Sequence, residues 1–268
     1  MAVTDPDGIV TADFDTRWAS VRFTILGTAW PSEVSRITIH RSEGRAPVRI
    51  RGGDKRAVGG FLVISDNEAP LDSVVSYTIR GYSPSDVLVK TITLSVPTTG
   101  AEPGIWLKLA GDPNATSHAN QKTISDVISA TQGGIYQVAG GQGVGVGVEG
   151  GRDATEFGLT LQVLTTDKDA AIANTFRKGR IVLLQHVSKI APFDAGWYFV
   201  KQVSRALFAQ ADGVEGAIWS IEVAATTRPS GDSAGVAGVS YALLKARYPT
   251  YADLKATGLT YFELAQGL

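Results

Sequence analysis

Cysteine is absent from the 268-residue sequence, and histidine and methionine are scarce, with three residues and one residue. Without cysteine the chain has no disulfide, no thiolate metal site and no cysteine nucleophile. The three histidines, His40, His118 and His186, stand far apart, and none has a second histidine at a metal-binding spacing. Ser117 precedes His118, but adjacency in sequence is not a catalytic arrangement, so we interpret His118 as an exposed loop residue. We expect neither a metal ion nor a cofactor.

An excess of charge and long apolar runs are missing as well. The sequence has 25 basic and 26 acidic residues, a net charge of −1. This balance points to neither nucleic acid nor an anionic membrane. No run approaches the roughly 18 apolar residues that span a bilayer, and the N-terminus lacks the basic and apolar regions of a signal peptide. We expect synthesis in the cytoplasm, no membrane association and no recognition of nucleic-acid sequence.

Two common catalytic motifs are also missing. There is no Walker loop and no H-E-x-x-H. Acid pairs such as Asp5 with Asp7 lack the other ligands of a calcium loop. The two acids of a glycosidase come from distant positions, and the sequence singles out none. We therefore predict no catalytic residues and no enzymatic activity, with a cell-wall glycosidase as one alternative.

One glycine-rich segment imitates a nucleotide-binding motif. Gly145, Gly147 and Gly150 satisfy G-x-G-x-x-G, but the following FGLTLQVL alternates like a strand, whereas the motif needs a helix there. We predict an extended β-loop. The alternation of glycine and valine suits a long hairpin that packs on a neighbouring subunit through five residues: Gly143, Val144, Gly145, Val146 and Gly147.

The chain is rich in glycine, with 30 residues, and in short runs of Val, Ile, Thr and aromatics, which favours a mainly β fold. Residues 1–97 predict an antiparallel β-sandwich, with strands at 18–26, 35–41, 47–51, 60–65, 73–83 and 87–96. Leu71 and Tyr77 resemble the tyrosine corner of fibronectin type III modules, with Trp18 as the core tryptophan. The other interpretation of Tyr77 is a strand tyrosine in the core.

A basic segment lies inside this domain. Residues 36–56 hold six arginines and one lysine against Glu43 and Asp54. One interpretation is an anion-binding face. The other, which we favour, is the solvated side of two strands and their turns, because the segment has no aromatic residues that would stack on bases.

Residues 98–104 form a linker rich in Pro and Gly, and 105–229 predict a second β domain. Its predicted strands are 105–110, 135–140, 157–166, 180–188, 196–208 and 217–226. Residues 112–123 are predicted to be a polar loop. Residues 167–179 predict the only clear helix of this domain, with acids in its first turn, bases in its last and Gly179 at its end.

The C-terminus repeats one short motif three times. After a flexible leash at 230–239, residues 240–268 contain Ser240-Tyr241, Thr250-Tyr251 and Thr260-Tyr261, each with leucine three positions beyond the tyrosine. The last two repeats also have capping boxes, and each repeat predicts a helix of about two turns, too short to be stable alone. We predict that they dock on a partner through seven side chains: Tyr241, Leu244, Tyr251, Leu254, Tyr261, Phe262 and Leu264. The alternative is that they fold back on the second domain.

These repeats, Thr250–Leu254 and Thr260–Leu264, resemble the C-termini of minor tail proteins of long-tailed bacteriophages that infect actinobacteria. The second domain is similar to the tube-type β-barrel of distal tail proteins in its order of strand, helix and three further strands. The resemblance implies a structural protein of the virion tail tip. It also implies a homo-oligomeric ring, most often six-fold, that joins the tail tube to other tail proteins. A host-surface polysaccharide-binding module is the other alternative.

Overall fold

The computed structural model describes residues 2–42, 47–110, 112–125, 128–130, 133–136, 146–149, 154–187, 193–209 and 215–229. Within these residues the chain is mainly β, which confirms the predicted class at that level. It divides into two compact units. The first contains the described residues up to 102, those within Lys108–Thr116, and Pro229. The second contains residues 103–107 and the described residues from 117 to 228.

The first unit has nine strands among its described residues. They are β1 (Val3–Thr4), β2 (Val10–Asp15), β3 (Ser20–Leu26), β4 (Arg36–Ser42), β5 (Val48–Arg49), β6 (Arg56–Ala57), β7 (Phe61–Asp66), β8 (Val74–Tyr82) and β9 (Leu88–Pro97). A four-stranded sheet has the order β1-β2-β3-β7. A five-stranded sheet has the order β5-β4-β8-β9, with β6 also paired to β4. The six predicted strand segments are confirmed, while β1, β2 and β6 were not predicted.

Alternating apolar residues give these strands their buried faces. In β3, Val21, Phe23 and Ile25 are fully buried, while Arg22 between them is exposed. Phe23 meets Tyr77 of β8 edge to face, with ring centroids 4.8 Å apart. Because β3 and β8 belong to different sheets, this aromatic contact joins the two sheets of the first unit.

The core tryptophan of the first unit is Trp30 rather than Trp18. Trp30 follows a short 3-10 helix, Gly27–Ala29, and is 6% exposed. Trp18 is half-buried in the turn between β2 and β3, where the Arg17 guanidinium lies 5.4 Å from its ring centroid. The prediction for Trp18 is therefore wrong, because the turn between β2 and β3 holds its ring at the edge of the core. Tyr77 is fully buried, as a core strand tyrosine would be.

The second unit is built around a closed barrel. Its elements are β10 (Ile105–Leu109), β11 (Asp112–Ile124), β12 (Ile128–Ala130), β13 (Gly133–Tyr136), β14 (Val146–Glu149), β15 (Ala154–Val163), α1 (Thr166–Lys178), β16 (Ile181–His186), β17 (Gly196–Ala209) and β18 (Glu215–Ala225). Both β10 and β11 have residues in the two units. The strand order β11-β10-β16-β17-β18-β15 closes into six strands because β11 also pairs with β15. β12 pairs with β15 as well, and β13 pairs with β14 in a separate two-stranded sheet.

The prediction of a polar loop at 112–123 is wrong, because this segment is strand β11. The turn-forming residues Asp112, Pro113 and Asn114 misled the sequence interpretation. Pairing with β10 overrides this local preference, and pairing of residues 120–124 with β15 closes the barrel. His118 is accordingly 6% exposed rather than an exposed loop residue. Its Nε2 donates to the Pro103 carbonyl oxygen at 2.9 Å.

The single helix that was predicted for this domain is confirmed, and a buried carboxylate attaches it to the barrel. The Thr165 side chain caps the first turn of α1 by accepting from the Lys168 backbone N–H at 3.3 Å. Asp169, 7% exposed, accepts two hydrogen bonds from the Arg205 guanidinium on β17 and one from Trp219 Nε1 on β18 at 2.9 Å. This acid, expected only to complement the helix dipole, therefore links α1 to two strands.

We predict that Gly81→Ala destabilises the first unit. A Cβ at Gly81 on β8 would lie 2.6 Å from Trp30 Cζ3 and 3.0 Å from Val34 Cγ1, so the core would be overpacked. The expected loss is about 1–3 kcal/mol in the free energy of unfolding, measured by urea denaturation. Gly59→Ala is the matched control, because a Cβ there meets no atom within 4 Å. Equal stability of the two variants would contradict the packing at Gly81.

Candidate functional site

The structure locates few of the residues predicted to be functional. Val146 and Gly147 lie in β14, whose backbone pairs with β13 as an antiparallel hairpin. Gly143, Val144 and Gly145 lie outside the described residues. The leash at 230–239 and the seven docking residues of 240–268 also lie outside them, so both remain predictions. The basic segment 36–56, in contrast, is described except for residues 43–46.

The arginines of this segment separate into two environments. Arg41 and Arg51 are buried, at 5% and 7% exposure. Arg36 and Arg49 lie on the opposite, outer side of the five-stranded sheet, where they line a pocket. The interpretation as a single solvated face is therefore wrong for the two buried arginines. Their burial follows from strand alternation, because Arg41 shares a face of β4 with Ile37 and Ile39, which are also buried.

The buried arginines belong to a charge cluster centred on Asp66 at the end of β7. Asp66 is 2% exposed and accepts two hydrogen bonds from Arg41 Nη1, at 2.9 and 2.8 Å. It also accepts from the Tyr77 hydroxyl at 3.0 Å and from the Glu68 backbone N–H at 3.0 Å. One carboxylate therefore satisfies donors from β4, β8 and its own turn.

A second ion pair lies beside this carboxylate. Arg51 donates through Nε to Glu68 and through Nη2 to the Pro229 carbonyl oxygen at 2.6 Å. Glu68 is 9% exposed. Both partners are thus removed from water, and loss of either would leave an uncompensated buried charge.

Lys108 on β10 completes the cluster. It is 1% exposed, and its Nζ donates to the Ala19 carbonyl oxygen at 2.5 Å and to the Asn67 carbonyl oxygen at 2.9 Å. Burial lowers the pKa of Lys108 to about 7. The Asp66 carboxylate opposes this shift, Arg41 adds to it, and Glu68 opposes it. Two carbonyl acceptors hold the amine in place at either protonation state.

We predict that Lys108 makes the stability of the protein depend on pH above neutrality. The folded state releases the Lys108 proton near pH 7, whereas the unfolded chain retains it up to the ordinary lysine pKa of 10.5. The unfolded state therefore binds more protons between these values, and the contribution of Lys108 to stability rises with pH. The slope is at most about 1.4 kcal/mol per pH unit, the limit for one proton.

The measurement is the free energy of unfolding of wild type and of Lys108→Met between pH 7 and 10. The difference, wild type minus variant, should grow with pH. Lys122→Met, which removes an exposed lysine on β11, should keep the wild-type pH dependence. A Lys108→Met profile parallel to wild type would contradict the assignment.

The outer pocket is formed by alternate residues of neighbouring strands. It has a volume of about 360 Å³ and nine described lining residues: Arg36, Thr38, His40, Arg49, Asp54, Lys55, Arg80, Tyr82 and Asp86. Across the strands, Arg36 stands opposite Tyr82, Thr38 opposite Arg80, and His40 opposite Arg49. The pairing of β4 with β5 and β8 therefore collects residues that are up to 46 positions apart in the sequence, as Arg36 and Tyr82 are.

Two carboxylates hold three of the cations in this pocket. Arg36 Nη2 lies 2.8 Å from Asp86 Oδ1, and Lys55 Nζ lies 3.8 Å from Asp86 Oδ2. Arg49 Nη1 lies 2.7 Å from Asp54 Oδ2. The exposed Arg80 guanidinium makes no hydrogen bond or ion pair with any residue that the structure describes.

His40 lies between two of the arginines. Its pKa is lowered by burial, then by the Arg80 guanidinium and the Arg49 guanidinium, while Asp54 opposes the shift. His40 Nδ1 is shielded from solvent and has no hydrogen-bond partner among the described residues. The same is true of Arg36 Nε. The pocket therefore combines crowded positive charge with donor groups that the described part of the protein does not satisfy.

We predict that Arg80→Ala raises the pKa of His40 toward the ordinary histidine value of 6.5. Removal of the guanidinium relieves a repulsion that disfavours the imidazolium. The measurement is an NMR titration of the imidazole Cε1 proton. Arg22→Ala, an exposed arginine on β3 in the other sheet, is the control and should leave the titration unchanged. An unchanged midpoint in Arg80→Ala would contradict the geometry of the pocket.

The barrel carries a second groove of about 360 Å³ on β11, β15, β17 and β18. It is mainly polar, with Ser125, Gln202, Ser204 and Ser220 among the lining residues, and Glu222 is the one carboxylate among those described. No group of three or more His, Asp or Glu side chains that could hold a metal ion occurs in the described ranges. Those ranges also contain no helix that is long and apolar enough to cross a membrane.

The chain matches no protein-family model, and no curated protein matches it. The chemistry of these sites therefore rests on their residues. Sequence reasoning missed Arg80 and Lys108. Arg80 lies on β8, outside the basic segment. Lys108 lies on β10, which is buried at every position, so no alternation of apolar and polar residues indicates which of its side chains point inward.

Proposed function

We propose that this protein is a structural component of a bacteriophage tail tip, made in the host cytoplasm and incorporated into the virion. In this proposal it is not an enzyme. It forms a ring of identical subunits, six in the arrangement that the resemblance implies, between the tail tube and other tail proteins.

The observation that carries the proposal is the six-stranded barrel with its single helix. The elements β15, α1, β16, β17 and β18 follow in the order that suggested the resemblance to distal tail proteins. Trp219 lies in the last of them, before Pro229, as in that resemblance. Antiparallel pairing of β16, β17, β18 and β15 arranges these elements side by side.

Two finer features complete the proposal. The first unit, with two sheets joined by Phe23 and Tyr77, is a fibronectin type III-like module. The residues after Pro229 provide a leash and short helices that dock on a neighbouring tail protein through the seven side chains of 240–268. The β13–β14 hairpin, which includes Val146 and Gly147, packs on the adjacent subunit through the glycine–valine segment.

The ring predicts a discrete multimer of the purified full chain. The measurement is native mass spectrometry with sedimentation velocity as a second method. Val144→Asp should shift the protein toward monomer, because a charge would enter an apolar contact between subunits. Val87→Asp, at a valine of the first unit that is 61% exposed, is the matched control and should leave the mass unchanged.

A wild-type monomer at all concentrations would exclude the ring. A monomer that binds host cells or cell-wall polysaccharide would favour the surface-binding alternative. A monomer that lowers the turbidity of a suspension of purified cell walls would favour the glycosidase.

A further inference from the structure

The outer face of the five-stranded sheet carries a charge arrangement that a structural ring does not require. Its pocket has four permanent cations, Arg36, Arg49, Lys55 and Arg80, against two carboxylates. Asp54 and Asp86 form ion pairs with three of these cations, so two negative charges face four positive ones. Arg80 is left with no ion pair among the described residues, beside a histidine whose protonation it opposes.

Like charges held together are unfavourable until an anion binds between them. The repulsion on His40 comes from Arg80 on β8 and Arg49 on β5, two strands that flank β4. The register between β4 and its two neighbours holds Arg80, Arg49 and His40 close together. Thr38 of β4 pairs with Arg80, and His40 pairs with Arg49. The strand backbone therefore fixes the cluster before any ligand arrives, which lowers the entropic cost of binding.

The turns around the pocket are also built to present its charges. Lys55 and Asp86 adopt left-handed backbone conformations, with φ of 45° and 61°. Arg36 is anchored at the β8–β9 turn, because its Nη2 donates to the Ser83 carbonyl oxygen at 3.3 Å and to the Pro84 carbonyl oxygen at 3.0 Å. An arginine fixed in this way loses little further freedom when it meets a ligand.

We propose that this pocket binds a phosphate group through Arg80, His40 and Arg49. Arginine provides the paired donors that match phosphate oxygens, and Thr38 and Tyr82 add hydroxyl groups to the lining. The donors come from three strands and one turn, so they approach the pocket from several directions. A tetrahedral phosphate uses donors on several sides, whereas a carboxylate presents two oxygens in one plane.

The size of the pocket fits a phosphate together with part of the group that carries it. The volume of about 360 Å³ lies near the lower end of small-ligand sites, which span roughly 300–1,000 Å³. The phosphate is either free, with four terminal oxygens, or part of a diester-linked polymer, with two non-bridging oxygens, and both present phosphoryl oxygens that Arg80 can bind. This inference is independent of the proposed ring.

The test titrates the full-length protein with inorganic phosphate at pH 7 and constant ionic strength, with the His40 imidazole resonance and calorimetry as readouts. We expect saturable binding with a dissociation constant on the order of 1–10 mM, as one phosphate in an open pocket gives. Arg80→Ala should weaken binding about tenfold, the effect of one lost charge-assisted hydrogen bond. Arg22→Ala should bind like wild type.

A second titration with poly(glycerol phosphate), compared at equal phosphate concentration, identifies the source. Tighter binding of the polymer would assign the site to a polymer phosphodiester, and equal or weaker binding would assign it to free phosphate. Absence of saturable inorganic phosphate binding up to about 50 mM, well above the expected dissociation constant, would overturn the proposal. Wild-type phosphate affinity in Arg80→Ala would also overturn it. Equal losses of affinity in Arg80→Ala and Arg22→Ala would do the same, because they would indicate non-specific attraction of phosphate to positive charge. Thermal unfolding of both variants checks that they remain folded.

Discussion

The buried carboxylate of Asp66 is the interaction on which the first unit depends. It lies at the end of β7 in one sheet and accepts hydrogen bonds from Arg41 and Tyr77, which belong to β4 and β8 of the other. Because a carboxylate at 2% exposure has lost its water, these donors must remain in place for the charge to be tolerated. The same arrangement keeps Tyr77 against Phe23, so electrostatics and aromatic packing hold the two sheets together at one point.

The two faces of β4 show how one short segment serves two purposes. Arg41 points into the unit, where two hydrogen bonds to the Asp66 carboxylate compensate its charge. Arg36 and His40, on alternate positions, point outward into a pocket where positive charge is in excess. The inward charge stabilises the fold because it is satisfied within the protein. The outward charge is available to a ligand because it is only partly neutralised.

Much of the β architecture could be predicted from local patterns, and the failures have physical causes. Alternation in β3, through Val21, Phe23 and Ile25, predicted a half-buried strand correctly. Acids in the first turn, bases in the last turn and Gly179 predicted α1 within one residue at each end. The prediction for β11 failed because its turn-forming residues are outweighed by pairing with the distant strand β15 at one end of β11 and with β10 beside it. In the pocket, the alternation of β4 could be predicted from the sequence. The position of Arg80 beside His40 could not, because the register between β4 and β8 determines which side chains are neighbours.

The sequence by itself determined the strand-rich class, helix α1 and the inward phase of alternating strands such as β3, since these depend on residues a few positions apart. The tertiary structure alone decided that Lys108 loses its solvent, that β11 closes a barrel, and that Arg80 joins His40 and Arg49. Each of these depends on pairing between segments distant in the chain. The charge of a side chain follows from its residue type, but the dielectric around it and the charges beside it depend on which strands pair in the folded protein.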